Sequence, residues 1–180
     1  MKTKFLTLKY AVTLLLDQFI SVLCSLVIIS ILSFFFKERG VFLQNLLRFI
    51  FFAWIMYFDA WQKGSEDCNK IKLGYIRKNY FKGFLAGILA SIPNIILATL
   101  AFLSESALIA SYDFIGVSAT SAIFRFWNLP LGMFMPFAND TPVFNFLIPL
   151  FLPVFSGIGY IFGLNKISIK EMVVYKNDEE

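Results

Sequence analysis

The sequence predicts an all-α integral membrane protein: a bundle of four transmembrane helices with a cytoplasmic basic loop and an extracytoplasmic interfacial or re-entrant segment. Three observations carry this. Of the 180 residues, 58% are hydrophobic, only 16% are charged and 23 are Phe, far more apolar than a soluble domain of this size. Several apolar runs exceed the roughly 18 residues that mark a membrane-helix candidate. Lys and Arg gather in particular loops, the asymmetry that orients membrane helices.

Lys2, Lys4 and Lys9 precede the first apolar run. Secretory signals carry an apolar core of about 7–15 residues and end at a small-residue cleavage site. This run is longer and closes on Phe34-Phe35-Phe36-Lys37, so it reads as an uncleaved first span, about 10–36. The second span, about 41–59, ends in an aromatic belt of Trp54, Tyr57 and Trp61. In the loop that follows, 62–82, Ser65 suits a helix N-cap, Glu66 and Asp67 a first turn, Lys70 and Lys72 a last turn, and Gly74 a stop. Asp67-x-Asn69 resembles the opening of a calcium loop, but the later glycine and closing glutamate of that motif are missing. The third span is 83–103. Segment 104–140 is apolar yet broken by Asp113, Gly116, Arg125, Asn128, Pro130 and Pro136. A last span, 142–164, leads to a charged tail, 165–180.

Charge decides how many segments cross. The amino end holds Lys2, Lys4 and Lys9; the loop holds Lys63, Lys70, Lys72, Arg77, Lys78 and Lys82; the tail holds Lys166, Lys170 and Lys176. Gathering all three groups in the cytoplasm requires an even number of crossings, hence four, with both termini cytoplasmic and 104–140 outside. The alternative, five spans with 115–137 crossing, exposes the basic tail and sets Arg125 near mid-membrane, at about 2.5–3.5 kcal/mol. The expected location is the cell membrane. No internal repeat supports an inverted-repeat transporter.

Histidine is absent, which removes the usual general base and the commonest metal ligand. No paired intramembrane acids and no nucleophile beside a base are evident, so neither an enzyme nor a bound cofactor or metal is expected. Cys24 lies in the first span and Cys68 in the basic loop, so both read as free thiols.

The candidate functional or packing residues are Asp17, Arg48, Gly83, Gly87, Ser91, Asn94 and Arg125. Ionisable residues inside spans are functional candidates by default. Asp17 sits about two turns into the first span, where it caps an interfacial cluster of Lys9, Lys78 and Lys82 or lines a path. Arg48 sits near the other leaflet and is long enough to snorkel. Gly83, Gly87 and Ser91 make a small-residue stripe, and Gly159 and Gly163 repeat it in the last span, beside Ser156 and Gly157. Pro93, Pro149 and Pro153 free carbonyls that need partners, with Asn94 and Asn145 as the expected suppliers. Phe124-Arg125-Phe126-Trp127 suits the outer interface, as an anchor or a lid.

The mixture of aromatic and basic residues at 70–82 suits anionic inner-leaflet lipid rather than nucleic acid. The expected function is a non-catalytic component of a membrane transport or export system, working with partner membrane subunits or as a homo-oligomer. Two alternatives stand beside it: a stand-alone small-solute transporter or channel, and a membrane scaffold or assembly factor. A partner subunit should carry its small-residue stripe outward, and a transporter should turn Asp17 or Arg48 inward.

Overall fold

The computed structural model describes residues 2–36, 40–110 and 119–167, and the described residues contain helices and turns but no strand. The expectations for Lys37, Asp113, Gly116 and the tail beyond 167 lie outside them. The helices are α1 (Lys2–Phe36), α2 (Val41–Lys72), α3 (Lys82–Ala110), α4 (Ala119–Trp127), α5 (Met135–Asp140) and α6 (Phe151–Leu164). Four stretches are long and apolar enough to cross a membrane: Thr7–Phe35, Val41–Lys72, Lys82–Ser104 and Val143–Leu164.

The bundle is apolar on the outside. Phe34, Phe42, Trp54, Ile96 and Leu103 are exposed, whereas small or polar side chains such as Ala60, Ala86, Ser91, Asn94 and Asn128 are buried. Where the surroundings are as apolar as leucine, large side chains gain nothing by hiding, and small residues win the contacts between helices because they let backbones approach.

α1 and α2 form an antiparallel hairpin, with Gln44 Nε2 donating to Ser33 Oγ at 3.2 Å near its closed end. α2 runs unbroken through 62–72, so no new helix begins at Ser65. The physical reason is a stripe with a step of four, Gln44, Arg48, Phe52, Met56, Ala60 and Gly64, that continues into Asp67 and stays buried throughout. Gly64 does not end the helix because the backbone of α6 lies against it. Gly74 does supply the stop. With φ +76°, it lets Tyr75 N bond Lys70 O and Gly74 N bond Ile71 O, closing the last turn.

α6 is the central element, parallel to α2 and antiparallel to α3. A Cβ on Gly159 would strike Tyr57 O and Ala60, one on Gly163 would strike Trp61 O and Ser65 N, and one on Gly64 would strike Tyr160 O. On its other side, a Cβ on Gly83 would meet Tyr160 and Ser156, and one on Gly87 would meet Pro153 and Ser156. Both predicted stripes therefore pack inside the chain. Upstream, the last span is not one helix: Pro142–Phe146 and Ile148–Leu150 are 3-10 turns. Pro142 and Pro149 fall in the first two positions of these turns, where they lose no intrahelical bond.

The remaining segment enters and leaves at one end. Thr120 Oγ1 donates to Ser104 Oγ at 2.7 Å, which fixes the start of α4 beside the far end of α3. α4 then descends along α3, the chain turns through Leu129–Phe134, and α5 leads back. Tyr10 packs on Tyr160 with ring centroids 6.4 Å apart, so the start of α1 and the end of α6 share the basic end of the bundle.

Candidate functional site

Two polar layers stand inside this apolar bundle. The first surrounds the tip of the α4 hairpin. An α-helix end leaves its last carbonyls without intrahelical donors, and α4 ends where no surface is near: Asn128 is fully buried. Carbonyls at and just past this end are met from several sides. Asn128 N and Nδ2 both donate to Phe124 O, at 3.0 and 2.9 Å. Gln18 Nε2 of α1 donates to Trp127 O at 3.2 Å. Arg48 Nη1 of α2 donates to Leu129 O at 3.0 Å. From α3, Asn94 and Asn128 exchange amide bonds at 2.8 Å in both directions. Three spans thus each contribute one side chain to this turn, two to its backbone and one to the Asn128 amide, about 17 Å along α1 from Thr7.

This layer corrects three expectations. Arg48 is buried and does not snorkel; its guanidinium also bonds Asn45 Oδ1 and Gln44 O, and lies against Gly132. The cause is the negative end of α4, which offers a cation better partners than distant water does. Asn94 does not repair the carbonyl freed by Pro93, because its amide is used on Asn128. Trp127 is not an outer-interface anchor, since its carbonyl sits on Gln18 inside the bundle. Arg125 is half-buried in the last turn of α4.

Ser91 does serve a proline. Pro153 has no N–H for the carbonyl of Pro149, and Ser91 Oγ lies 3.0 Å from that oxygen and 2.9 Å from Gly87 O. Ser156 Oγ repeats the arrangement lower down, 3.2 Å from Gly83 O. Asn145 is buried.

The second layer lies at the basic end. Asp67, which reads from sequence as a solvated first-turn residue, is 1% exposed. Its carboxylate takes an ion pair from Lys82, at the start of α3, and a hydrogen bond from Tyr160 Oη of α6 at 2.8 Å. α2, α3 and α6 are thereby tied at one point. Lys82 is consequently not a partner for Asp17, and Lys78 lies over the ring of Tyr80, 4.6 Å from its centroid. Among the described residues no ion pair reaches Asp17.

Asp17 has a different neighbour, one that sequence reasoning missed. Stepping equally back along α1 and forward along α2 from the Ser33–Gln44 bond sets Asp17 opposite Ala60, next to Asp59. The two carboxylates lie within electrostatic range of each other and of Tyr10. Asp17 Oδ2, Asp59 Oδ2, Tyr10 Oη and Ser21 Oγ are all buried without a hydrogen-bond partner among the described residues.

The signal for Asp67 was present in the buried stripe of α2, which continues past Ala60 and Gly64 to Asp67. Asn128 gave a weaker one, a lone amide just before Pro130. No group of three or more potential metal ligands occurs among the described residues, and Cys24 and Cys68 are free. No family model, curated protein or solved structure matches the chain.

Proposed function

We propose that this chain is an integral membrane transport protein in which the α4 hairpin is a re-entrant segment gating a polar path between α1, α2 and α3. The observation that carries the reading is the seat of the hairpin: Gln18, Arg48 and Asn94, each from a different span, bond the same broken stretch at mid-bundle. Irregular backbone at membrane depth is tolerated where protein covers it or where it lines a cavity. Broken helices near the midplane are where transporters place their binding sites. Small-residue stripes turned outward would favour a partner-dependent component, whereas the stripes here are used within the chain.

The basic end faces the cytoplasm in this reading, in the cell membrane, with both termini on that side. Tyr75 and Phe81 are exposed among Lys72, Arg77 and Lys78, a surface suited to anionic inner-leaflet lipid at about 1 kcal/mol per basic residue. A membrane-impermeant thiol reagent should therefore label Cys68 only in opened cells. Labelling in intact cells would invert the orientation.

The transport test uses a chain with Cys24→Ala and Cys68→Ala, carrying Asn94→Cys and Asn128→Cys. It is reconstituted in liposomes, and sodium and proton flux are followed before and after bridging the pair with a short bis-methanethiosulfonate, each cysteine displacing one sulfinate. Flux should stop on bridging and persist in the single-cysteine controls. Flux indifferent to the bridge removes the hairpin as gate. No protein-dependent flux removes the stand-alone reading in favour of a component that works with partners, which purification from native membrane in mild detergent would then retain.

A further inference from the structure

We propose that Asp17 and Asp59, with the hydroxyl of Tyr10, form a binding site for one small monovalent cation in the α1–α2 interface. As a coupling ion this cation rests on the transport reading above; as a bound ligand it does not.

Three observations converge on the site. The helix register places the two carboxylates at one depth on adjoining spans. Each has an oxygen that is buried and unpartnered among the described residues. Tyr10, 2% exposed, keeps an unpartnered hydroxyl within range of both. An apolar surround charges several kcal/mol for polar groups left without partners and more for unpaired charge. Two such carboxylates at one depth, with the Tyr10 hydroxyl in range of both, make a place that takes up positive charge.

The neighbouring cations are committed elsewhere. Lys63, one turn from Asp59 and within its range, pairs with Glu66 at 2.8 Å. Lys82 pairs with Asp67, and Lys70 lies 3.9 Å from both Glu66 and Asp67. From α6, Tyr160 gives its hydroxyl to Asp67. Lys9 is exposed. Hard oxygen ligands with no nitrogen or sulfur suit an alkali ion or a proton, not a transition metal. A proton and a sodium ion offer the same single charge, and the experiment separates them.

The full chain in detergent is unfolded thermally while Trp fluorescence is followed, with no flux assay involved. Sodium chloride replaces choline chloride at fixed ionic strength in one arm, and pH falls from 8 to 5 without sodium in the other. A ligand at about 100 times its dissociation constant should raise the midpoint by on the order of 5–10 °C. The expected result is such a rise in one arm, lost in both Asp17→Asn and Asp59→Asn. The sodium arm identifies an alkali site and the acid arm a shared proton. Tyr10→Phe, which leaves both carboxylates in place, should require about tenfold more of the ion for the same rise. A rise that survives in either Asn variant, or no rise in either arm, overturns the site. Should neither Asn variant fold, an unchanged ion requirement in Tyr10→Phe overturns it. Binding without flux would leave the site standing and remove the transport reading alone.

Discussion

The two ends of this bundle are held by different means. At the basic end, α2, α3 and α6 approach through Gly64, Gly83, Gly87, Gly159 and Gly163, and the Asp67–Lys82–Tyr160 cluster ties the three helices together. At the far end the last span dissolves into 3-10 turns, and the α4 hairpin fills the space. There the contacts are side-chain amides and a guanidinium reaching single carbonyls. Close backbones admit one arrangement, because interdigitated surfaces tolerate little displacement. Side chains bonded to a broken backbone can exchange partners. The difference assigns rigidity to one end and motion to the other.

The largest expected effect comes from breaking the tie at the basic end. Asp67→Asn leaves Lys82 as a buried charge without its counter-ion, a loss of about 3–5 kcal/mol. The double change Asp67→Asn with Lys82→Met should recover most of it, which a denaturation series of the three variants would measure. If Asp67→Asn alone melts like the parent, the cluster does not hold the helices.

Glycine substitutions come next. Gly163→Ala drives a methyl into Trp61 O and Ser65 N, an overpacking cost of about 1–3 kcal/mol. Gly87→Leu should disrupt the α3–α6 contact further, while Ile88→Leu, on an exposed position, should be neutral. Equal melting temperatures for Gly87→Leu and Ile88→Leu would contradict the packing described for the stripe.

At the far end the effects shrink. Asn94→Leu strands the amide of Asn128, for about 1–3 kcal/mol. Gln18→Leu removes one interhelical bond, worth about 0.6 kcal/mol by the average for such bonds in membranes. The comparison sharpens if Asn94→Leu also changes protection of the hairpin while leaving α2 and α6 unaltered. It fails if the loss spreads through the whole bundle.

Most of the architecture was legible in the chain, for a physical reason. Apolar length is set by bilayer thickness, so α1, α3 and the final span stand out, and the glycine stripes mark close approach wherever they fall. The interior polar layer was less legible. Arg48 and Asn94 stood out as polar residues in apolar runs, but their partners, the Leu129 carbonyl and the Asn128 amide, are set by where α4 ends, and the sequence does not print where a helix end docks. Asp67 was hidden by the assumption that polar composition marks a loop, and Asp59, at the end of the second span, was passed over. Following the buried stripe from Gln44 onward would have kept 62–72 on α2 and turned Asp67 inward.

Hydrogen–deuterium exchange on the protein in lipid nanodiscs tests the contrast between the two ends most directly. Amides in Phe126–Leu131 should exchange at least tenfold faster than those in Phe155–Phe162, because the hairpin opens locally while the glycine-packed helices open only with the whole fold. Equal protection in the two stretches would mean that the hairpin is as fixed as α6, and the gating account would be wrong.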